Sequence, residues 1–406
     1  MRVLLFTGKG GVGKTTLAAA TGARLAAEGH KALVVSTDPA HSLGDALGVP
    51  GVTEPVEVGE GLFAGQIDAR GLAEGSWAEL RGHLRTLLAG AGVAELAAEE
   101  LTVLPGVEEL LALSEVYSLA ANGPWEVVVV DCGPTAETLR LLALPEAVGS
   151  YLERLFPTHR RVVRGLLAGL AGARQIDRWD AAADALSRLA ERLEWLRRML
   201  TDAERTTVRL VCTPEKVVVA ETQRTLTSLA LQGIRVDGLI ANRLVPAFAN
   251  AGRGRAAQWL ATRRAEQDTM LAELRAGAAE VPVRTVGHLA TEPVGVPALL
   301  DLAEELYPED SPLLAGPAAA EPLLSVRAHG KGLSARFELR VALPLPEDAD
   351  VDLARVDDEL ALTVHGRRRL IALPPVLRRC AVTDAEVDSG GLLIGFRPDP
   401  SLWPGN

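Results

Sequence analysis

The chain opens with an apolar run, Val3–Phe6, and then reads Gly8-Lys9-Gly10-Gly11-Val12-Gly13-Lys14-Thr15. The Ala-rich segment Leu17–Ala27 follows, and Gly29 ends its helical pattern. A second apolar run, Ala32–Ser36, comes next. Short apolar runs without polar alternation are typical of strands that a parallel sheet buries on both faces. The order therefore predicts a strand, a glycine-rich loop, a helix and a second strand.

The glycine-rich loop has the spacing G-x-x-x-x-G-K-[ST] between a strand and a helix, the context that indicates phosphate binding. Glycines let backbone N–H groups turn towards phosphate oxygens, and the helix N-terminus adds the positive end of its dipole. We expect Lys14 to reach the β- and γ-phosphates of ATP and the Thr15 hydroxyl to bind Mg²⁺. The predicted nucleotide-binding residues are Gly8, Gly10, Gly11, Val12, Gly13, Lys14, Thr15 and Thr16.

Two acids stand at the ends of predicted strands. Asp38 comes two residues after Ala32–Ser36, and Asp131 ends the predicted strand Trp125–Asp131. The carboxyl ends of parallel strands face the crevice in which α/β proteins bind ligands. We predict that Asp38 orients the attacking water. Asp131 is predicted to hold Mg²⁺ together with Thr15, directly or through water.

Lys9 is a second lysine in the loop. It is either an ordinary solvated lysine or a signature lysine that neutralises phosphate charge, typically across a dimer interface. The compact loop makes it hard for Lys9 to reach the phosphates of its own subunit. The predicted catalytic residues are Asp38, Lys9 and Lys14.

Strand and helix patterns alternate further along the chain, which predicts an α/β fold with a mostly parallel sheet. Further strands are predicted at Val208–Cys212, Val236–Ala241 and Val281–Val286. Two long helical segments, 71–122 and 145–204, interrupt this pattern. They predict an inserted helical subdomain.

One helical stripe in the second insertion has leucines at alternating spacings of three and four residues: Leu186, Leu189, Leu193, Leu196 and Leu200. The stripe either lines a groove for a hydrophobic client helix or packs inside the helical subdomain. A basic cluster in the same insertion is either a solvated face or a contact with anionic lipid. It consists of Arg160, Arg161 and Arg164.

The composition changes near the C-terminus. Residues 308–322 are rich in Pro and Ala, which is typical of a linker. Apolar and polar residues then alternate with period two, for example over Ala335–Leu343 and Leu360–Val364. We therefore predict an ATPase domain over 1–307, a linker over 308–322 and an all-β domain over 323–406.

Charge and cysteine content limit the functional classes. The 406 residues include 42 Lys plus Arg and 53 Asp plus Glu, a net charge of −11. This balance argues against nucleic acid as a partner, which needs a basic footprint. Cys132, Cys212 and Cys380 lie too far apart in sequence for a disulfide framework or a close metal-ligand pair. Because no apolar run approaches the ~18 residues of a membrane span, we predict a cytoplasmic protein.

The first three quarters of the chain resemble the arsenite-pump ATPase family, which also contains the ATPase that targets tail-anchored membrane proteins. The resemblance rests on the loop with both lysines and on the segments Thr37–Leu43 and Pro134–Leu142. It implies Mg-ATP hydrolysis by a homodimer with one nucleotide per subunit. The Asp38 segment would be switch I and Asp131–Arg140 switch II. A more distant match, Asn242, is similar to the strand-end asparagine that contacts adenine.

The C-terminal segment resembles the α-crystallin domain of small heat-shock proteins. The matching pieces are Phe337–Pro344, Glu359–Val364, Arg368–Pro374 and Gly391–Phe396. The resemblance implies a C-terminal β-sandwich.

Three functions follow from these patterns. The first is a dimeric ATPase that handles or targets a hydrophobic client. The second is an arsenite-stimulated subunit of an anion pump, which needs a membrane partner protein and thiolates that converge on the metalloid. The third is a chaperone holdase that ATP regulates. The family's usual Gly-His in switch II is Ala136-Glu137 here, which bears on how nucleotide couples to the helical region.

Overall fold

The structure is a computed structural model, and its chain divides into two compact units. The first contains Met1–Thr207 and Glu292–Pro312, and the second contains Val208–Thr291 and Leu313–Asn406. The structure describes residues 1–38, 42–50, 54–68, 71, 107–132, 188, 191–246, 254–278, 281–308, 311–313, 324–345, 351–364, 367–388 and 390–403.

Strands and helices are interspersed up to residue 306, and the described elements after it are strands with two short 3₁₀ helices, Gly332–Ser334 and Leu377–Arg379. The α/β part contains β1 (Arg2–Thr7), α1 (Lys14–Ala27), β2 (Ala32–Ser36), α2 (Ser42–Leu47), β3 (Val56–Gly59), β4 (Leu62–Gln66), α3 (Val107–Asn122), β5 (Val127–Asp131), β6 (Thr206–Cys212), α4 (Lys216–Leu231), β7 (Val236–Leu244), α5 (Arg255–Gly277), β8 (Val283–Gly287) and α6 (Val296–Leu306). The C-terminal part contains β9 (Leu324–His329), β10 (Arg336–Val341), β11 (Val351–Val356), β12 (Glu359–Val364), β13 (Arg367–Ala372), β14 (Cys380–Asp388) and β15 (Gly391–Pro398).

The strands of the first unit follow the order β3-β4-β2-β5-β1. The pairs β1–β5, β2–β5 and β2–β4 are parallel, and β3 is antiparallel to β4. Every residue of β2 and β5 is buried, which explains their unbroken apolar runs. The prediction of a mostly parallel α/β sheet is confirmed.

Helix α1 packs closely onto β2 because Gly22 has no side chain. A Cβ at Gly22 would lie 2.1 Å from Val34 Cγ2. On another side of α1, the Tyr307 hydroxyl lies 2.8 Å from Thr21 Oγ1, and both residues are buried. Because the Thr21 hydroxyl proton goes to the Leu17 carbonyl, Tyr307 is the donor. These contacts fix the helix that begins at the glycine-rich loop.

The second unit contains two parts of the chain. Its α/β part has β6, β7 and β8 in parallel pairs, with a buried ion pair between Arg209 and Asp237 (Nε to Oδ1, 3.1 Å). Its C-terminal part forms two antiparallel sheets, β14-β15-β10-β9 and β11-β12-β13. Their buried residues share one core, and Leu231 from the end of α4 is part of that core. The predicted C-terminal all-β fold is confirmed.

The predicted helical insertions are described only in part. Helix α3 and the helical residues 191–201 fall within them. Leu193, Leu196 and Leu200 are buried, so this half of the predicted stripe packs inside the protein. Leu186, Leu189, the arginine cluster and most of the predicted linker lie outside the described residues. Among the described helices, none is both long and apolar enough to cross a membrane.

Candidate active site

The glycine-rich loop joins the end of β1 to the start of α1. Gly11 has a φ of 79° and Gly13 a φ of 95°, in the left-handed region that favours glycine. Gly13 caps α1. Within the described part of the chain, no side chain caps this helix end and no acid lies in its first turn. The N–H groups of the first turn are therefore available to an anion at the positive end of the helix dipole.

The two loop lysines have different surroundings. Lys14 is partly buried, and its Nζ donates a hydrogen bond to the backbone carbonyl of Lys9 (3.2 Å). This bond folds the Lys14 side chain back over the loop. The Lys9 side chain is exposed.

Three polar residues lie side by side at the carboxyl ends of β4, β2 and β5. Ser36 is the register partner of Gln66 on one side and of Asp131 on the other. Side chains that are in register across parallel strands project from the same face of the sheet. We call Gln66, Ser36 and Asp131 the polar row. Ser36 is fully buried, and Asp131 is only 1% exposed.

Hydroxyl groups connect the loop to the polar row. Asp131 Oδ2 accepts hydrogen bonds from Thr15 Oγ1 (2.7 Å) and Ser36 Oγ (3.2 Å). Ser42 Oγ lies 3.1 Å from Thr15 Oγ1. Because the Thr15 proton is already directed to Asp131, Ser42 donates to Thr15. The first residue of α2, the loop and β5 are thus joined by one chain of hydrogen bonds.

The other carboxylate oxygen of Asp131, Oδ1, is suited to binding a metal ion. Oδ1 is buried and has no hydrogen-bond partner among the described residues. Burial raises the pKa of Asp131, while the Thr15 hydroxyl and the Lys14 charge act in the opposite direction. A buried carboxylate with an unsatisfied oxygen is costly unless a cation or a donor meets it. Together with the Thr15 hydroxyl, it is an oxygen donor set that fits Mg²⁺.

The backbone of Asp38 is held from two sides. Its N–H donates to Ser36 Oγ (3.2 Å), and its carbonyl accepts a hydrogen bond from Gln66 Nε2 (2.7 Å). The first unit therefore joins Thr15, Asp131 and the Asp38 backbone through Ser36 in one hydrogen-bonded network. Lys14, which precedes Thr15, acts on Asp131 through its charge. Residues 39–41 and 133–140, which complete the predicted switch segments, lie outside the described residues.

Asn242 belongs to the second unit, near the end of β7, and is 9% exposed. Its Oδ1 accepts the N–H of Arg243 (2.8 Å), and Arg243 has a φ of 60°. The buried side chain of Gln267 bonds to the Arg243 carbonyl (3.1 Å) and to the Val245 N–H (2.7 Å). These bonds fix the backbone around the end of β7. The contact of Asn242 with adenine stays a prediction.

The three cysteines are free and buried. Burial raises the pKa of the Cys132 thiol and raises that of Cys212 to about 12. Such thiols remain protonated at neutral pH, whereas metals and metalloids bind the thiolate. Among the described residues, no group of three His, Cys, Asp or Glu side chains is placed to hold a metal ion.

Comparison with known proteins places this site in a family. The family model described as anion-transporting ATPase matches residues 1–308. The chain belongs to the anion-transporting ATPase family. A second model, an HSP20-like domain found in this family, matches residues 334–396. The predicted family, the ATPase activity and the α-crystallin-like domain are confirmed.

Three of the curated relatives match between 59% and 99% of the chain. A Mycobacterium tuberculosis protein, Protein Rv2184c, is 40% identical over 99% of this chain and 97% of its own length. A putative arsenical pump-driving ATPase from Chlorobaculum tepidum is 33% identical over 98% of this chain and 96% of its own. ATPase GET3B from Arabidopsis thaliana is 34% identical over 59% of this chain and 63% of its own.

Several residues of the site were not predicted as functional. Ser36 and Ser42 flank Asp38 in sequence, but the sequence alone predicts no role for either. The fold brings Ser36 to Asp131 and Ser42 to Thr15. Gln66 ends a strand that was not predicted. The only sequence signal for Gln66 is a polar residue at the end of the apolar-rich stretch Leu62–Gly65, and this became informative only with the strand register.

Proposed function

We propose that this ATPase hydrolyses Mg-ATP at the loop Gly8–Thr15, as a cytoplasmic homodimer that handles or targets a hydrophobic client. The observation that supports the catalytic part is the bond from Thr15 to Asp131, whose other oxygen is buried and has no partner among the residues that the structure describes. The family resemblance supports the dimer and the client. The three free thiols fit a reducing compartment such as the cytoplasm.

Each residue of the network has a role in this proposal. Backbone N–H groups of the loop and Lys14 bind the phosphates and stabilise the charge that grows during transfer. Thr15 and Asp131 hold the cation, which neutralises phosphate charge when bound. Asp38 orients the water for in-line attack. Asn242 contacts the adenine.

Two variants separate binding from hydrolysis. Lys14→Ala should abolish nucleotide binding measured by calorimetry, because the lysine proposed to reach the β- and γ-phosphates is lost. Asp38→Asn should bind Mg-ATP as wild type does but lose most of its turnover, since it keeps the shape and loses the charge that orients water. Equal turnover in Asp38→Asn would exclude the role of Asp38, and no binding by the wild type would exclude the function.

The proposed action of Lys9 across a dimer is tested by mixing two inactive variants, Lys9→Ala and Asp38→Asn. If Lys9 acts on the partner subunit's nucleotide, a mixed dimer has one site with both residues intact, and activity returns. If Lys9 acts within its own subunit, both sites of the mixed dimer are defective. No recovery, with subunit exchange verified, would contradict action across the interface.

The name of the Chlorobaculum tepidum relative, a putative arsenical pump-driving ATPase, favours a second candidate, an ATPase that drives an arsenical pump with a membrane partner. The ATPase rate with and without arsenite or antimonite decides between the two. We expect no stimulation, because Cys132 and Cys212 are buried with raised pKa values. Clear stimulation that cysteine-to-serine variants remove would establish the pump function.

A further inference from the structure

We propose that Gln66 is a positioning residue for Asp38, acting through the hydrogen bond from its side-chain amide to the Asp38 carbonyl (2.7 Å). This inference rests on the proposed function, in which Asp38 orients the attacking water. Gln66 does not act on the nucleotide in this proposal. It sets the position of the residue that does.

The strand register places Gln66 where it can do this. The polar row runs from β4 through β2 to β5, and Asp38 follows the end of β2, the central strand of the three. Further bonds fix the chain just before Asp38, from the Thr37 N–H to the Asp131 carbonyl (3.0 Å), and just after Gln66, from the Ile67 N–H to the Ser36 carbonyl (2.9 Å). Gln66 therefore donates from a strand end that is itself anchored to β2.

The peptide that Gln66 holds has only one hydrogen-bonding group. The residue after Asp38 is Pro39, which has no N–H. The Asp38 carbonyl is thus the only main-chain group through which the Asp38–Pro39 peptide can be fixed. On the preceding peptide, the Asp38 N–H is held by Ser36. Gln66 and Ser36 together hold both peptides that flank the Asp38 side chain.

Ser36 is a less suitable residue for testing this arrangement. Its hydroxyl also donates to Asp131, the proposed cation ligand. A Ser36 variant would therefore change cation binding and the Asp38 backbone together. Among the described residues, the Gln66 side chain bonds to the Asp38 carbonyl, so a Gln66 variant acts on the Asp38 backbone without removing a bond to Asp131.

The first test is Gln66→Met, which keeps the length of the side chain and removes its amide. Misplacement of a reacting group by about 1 Å can cost about 100-fold in rate. We expect kcat to fall by about 10- to 100-fold with KM for Mg-ATP and the unfolding midpoint unchanged. The matched control is Gln223→Met, which removes an amide that bonds to the Glu273 carbonyl (3.2 Å) in the second unit and should leave kcat unchanged.

The second test uses pH and does not depend on comparing folded stabilities. In Gln66→Glu, the introduced carboxyl can donate to the Asp38 carbonyl only while it is protonated, and its carboxylate faces that oxygen unfavourably. We expect the ratio of kcat for Gln66→Glu to that for Gln66→Met to rise as pH is lowered from about 8 to about 5. A purely structural role for Gln66 gives a ratio that does not change with pH.

The outcomes distinguish this inference from the proposed function. An unchanged kcat in Gln66→Met, a loss that appears only in KM, or a pH-independent ratio would overturn the role of Gln66 while wild-type hydrolysis stands. Loss of Mg-ATP binding or turnover in the wild type would instead overturn the proposed function. An active Asp38→Asn variant would remove the residue that Gln66 is proposed to position.

Discussion

The close approach of α1 to β2 makes Gly22→Ala an informative perturbation. The added Cβ would lie 2.1 Å from Val34 Cγ2 and 3.4 Å from Leu62 Cδ1, whereas carbon atoms in good contact are about 3.5–4.0 Å apart. Val34 is fully buried and β-branched, so its side chain has little freedom to rotate away. The helix or the strand must therefore move by more than 1 Å.

The expected stability change is a difference between two terms. Overpacking of a tight core costs about 1–3 kcal/mol. Replacing a mid-helix glycine by alanine raises the free energy of unfolding by about 0.5–1 kcal/mol. We therefore expect Gly22→Ala to lower the free energy of unfolding by about 1–2 kcal/mol. Nucleotide affinity should fall as well, because α1 begins with Lys14 and Thr15 of the loop.

The assay is a double-mutant cycle with Val34→Ala, measured by urea unfolding of the first unit. Val34→Ala removes the methyl group that the new Cβ would strike, so the double variant should be more stable than the sum of the single changes predicts. We expect a coupling of about 1–3 kcal/mol. Changes that add to within about 0.5 kcal/mol would refute the close packing.

Three other changes have clear expected outcomes. Asp131→Asn should raise the thermal unfolding midpoint of the nucleotide-free protein at neutral pH, because burial raises the pKa of this carboxyl and folding then disfavours its ionised form. Calorimetry at several pH values measures this increase in the unfolding midpoint. The increase should shrink as pH falls through the raised pKa towards 3.8, because the wild-type carboxyl then becomes protonated. An increase that does not depend on pH would contradict this cause. Gly11→Ala should lower the free energy of unfolding in urea by about 1–2 kcal/mol, because its φ of 79° is unfavourable for a residue with a Cβ. The control Gly10→Ala, with no atom within 4 Å of an added Cβ, should change this free energy little. Equal effects of the two variants would argue against backbone strain at Gly11. Leu231→Ala should destabilise the second unit by about 2–5 kcal/mol in the same assay, and a neutral result would remove Leu231 from the β-domain core.

Local patterns predicted the elements whose burial is nearly complete. Strands β1, β2 and β5 contain unbroken apolar runs because a parallel sheet buries both faces, and the loop after β1 has an uninterrupted motif. Alternation likewise predicted β10 and β12, since one face of each packs on the shared core.

Elements with little burial or with distant partners were not predicted. Strands β3 and β11 have no buried residue, and β14 is mostly exposed, so their sequences carry no clear apolar pattern. The polar row depends on which strands are neighbours, and no local pattern contains that information. Gln267 on α5 bonds to the backbone around the end of β7, and the sequence did not predict this contact for the same reason.

The inclusion of Leu231 in the β-domain core affects how that domain can be studied. A fragment that starts after the linker would lack this leucine and would present to water the apolar surface that α4 covers. Such a fragment could bind unfolded proteins simply because its own interior is open, and a positive aggregation-suppression assay would then be an artefact. Chaperone activity should therefore be measured on the full-length chain, with the β-domain altered by surface substitutions rather than by excision.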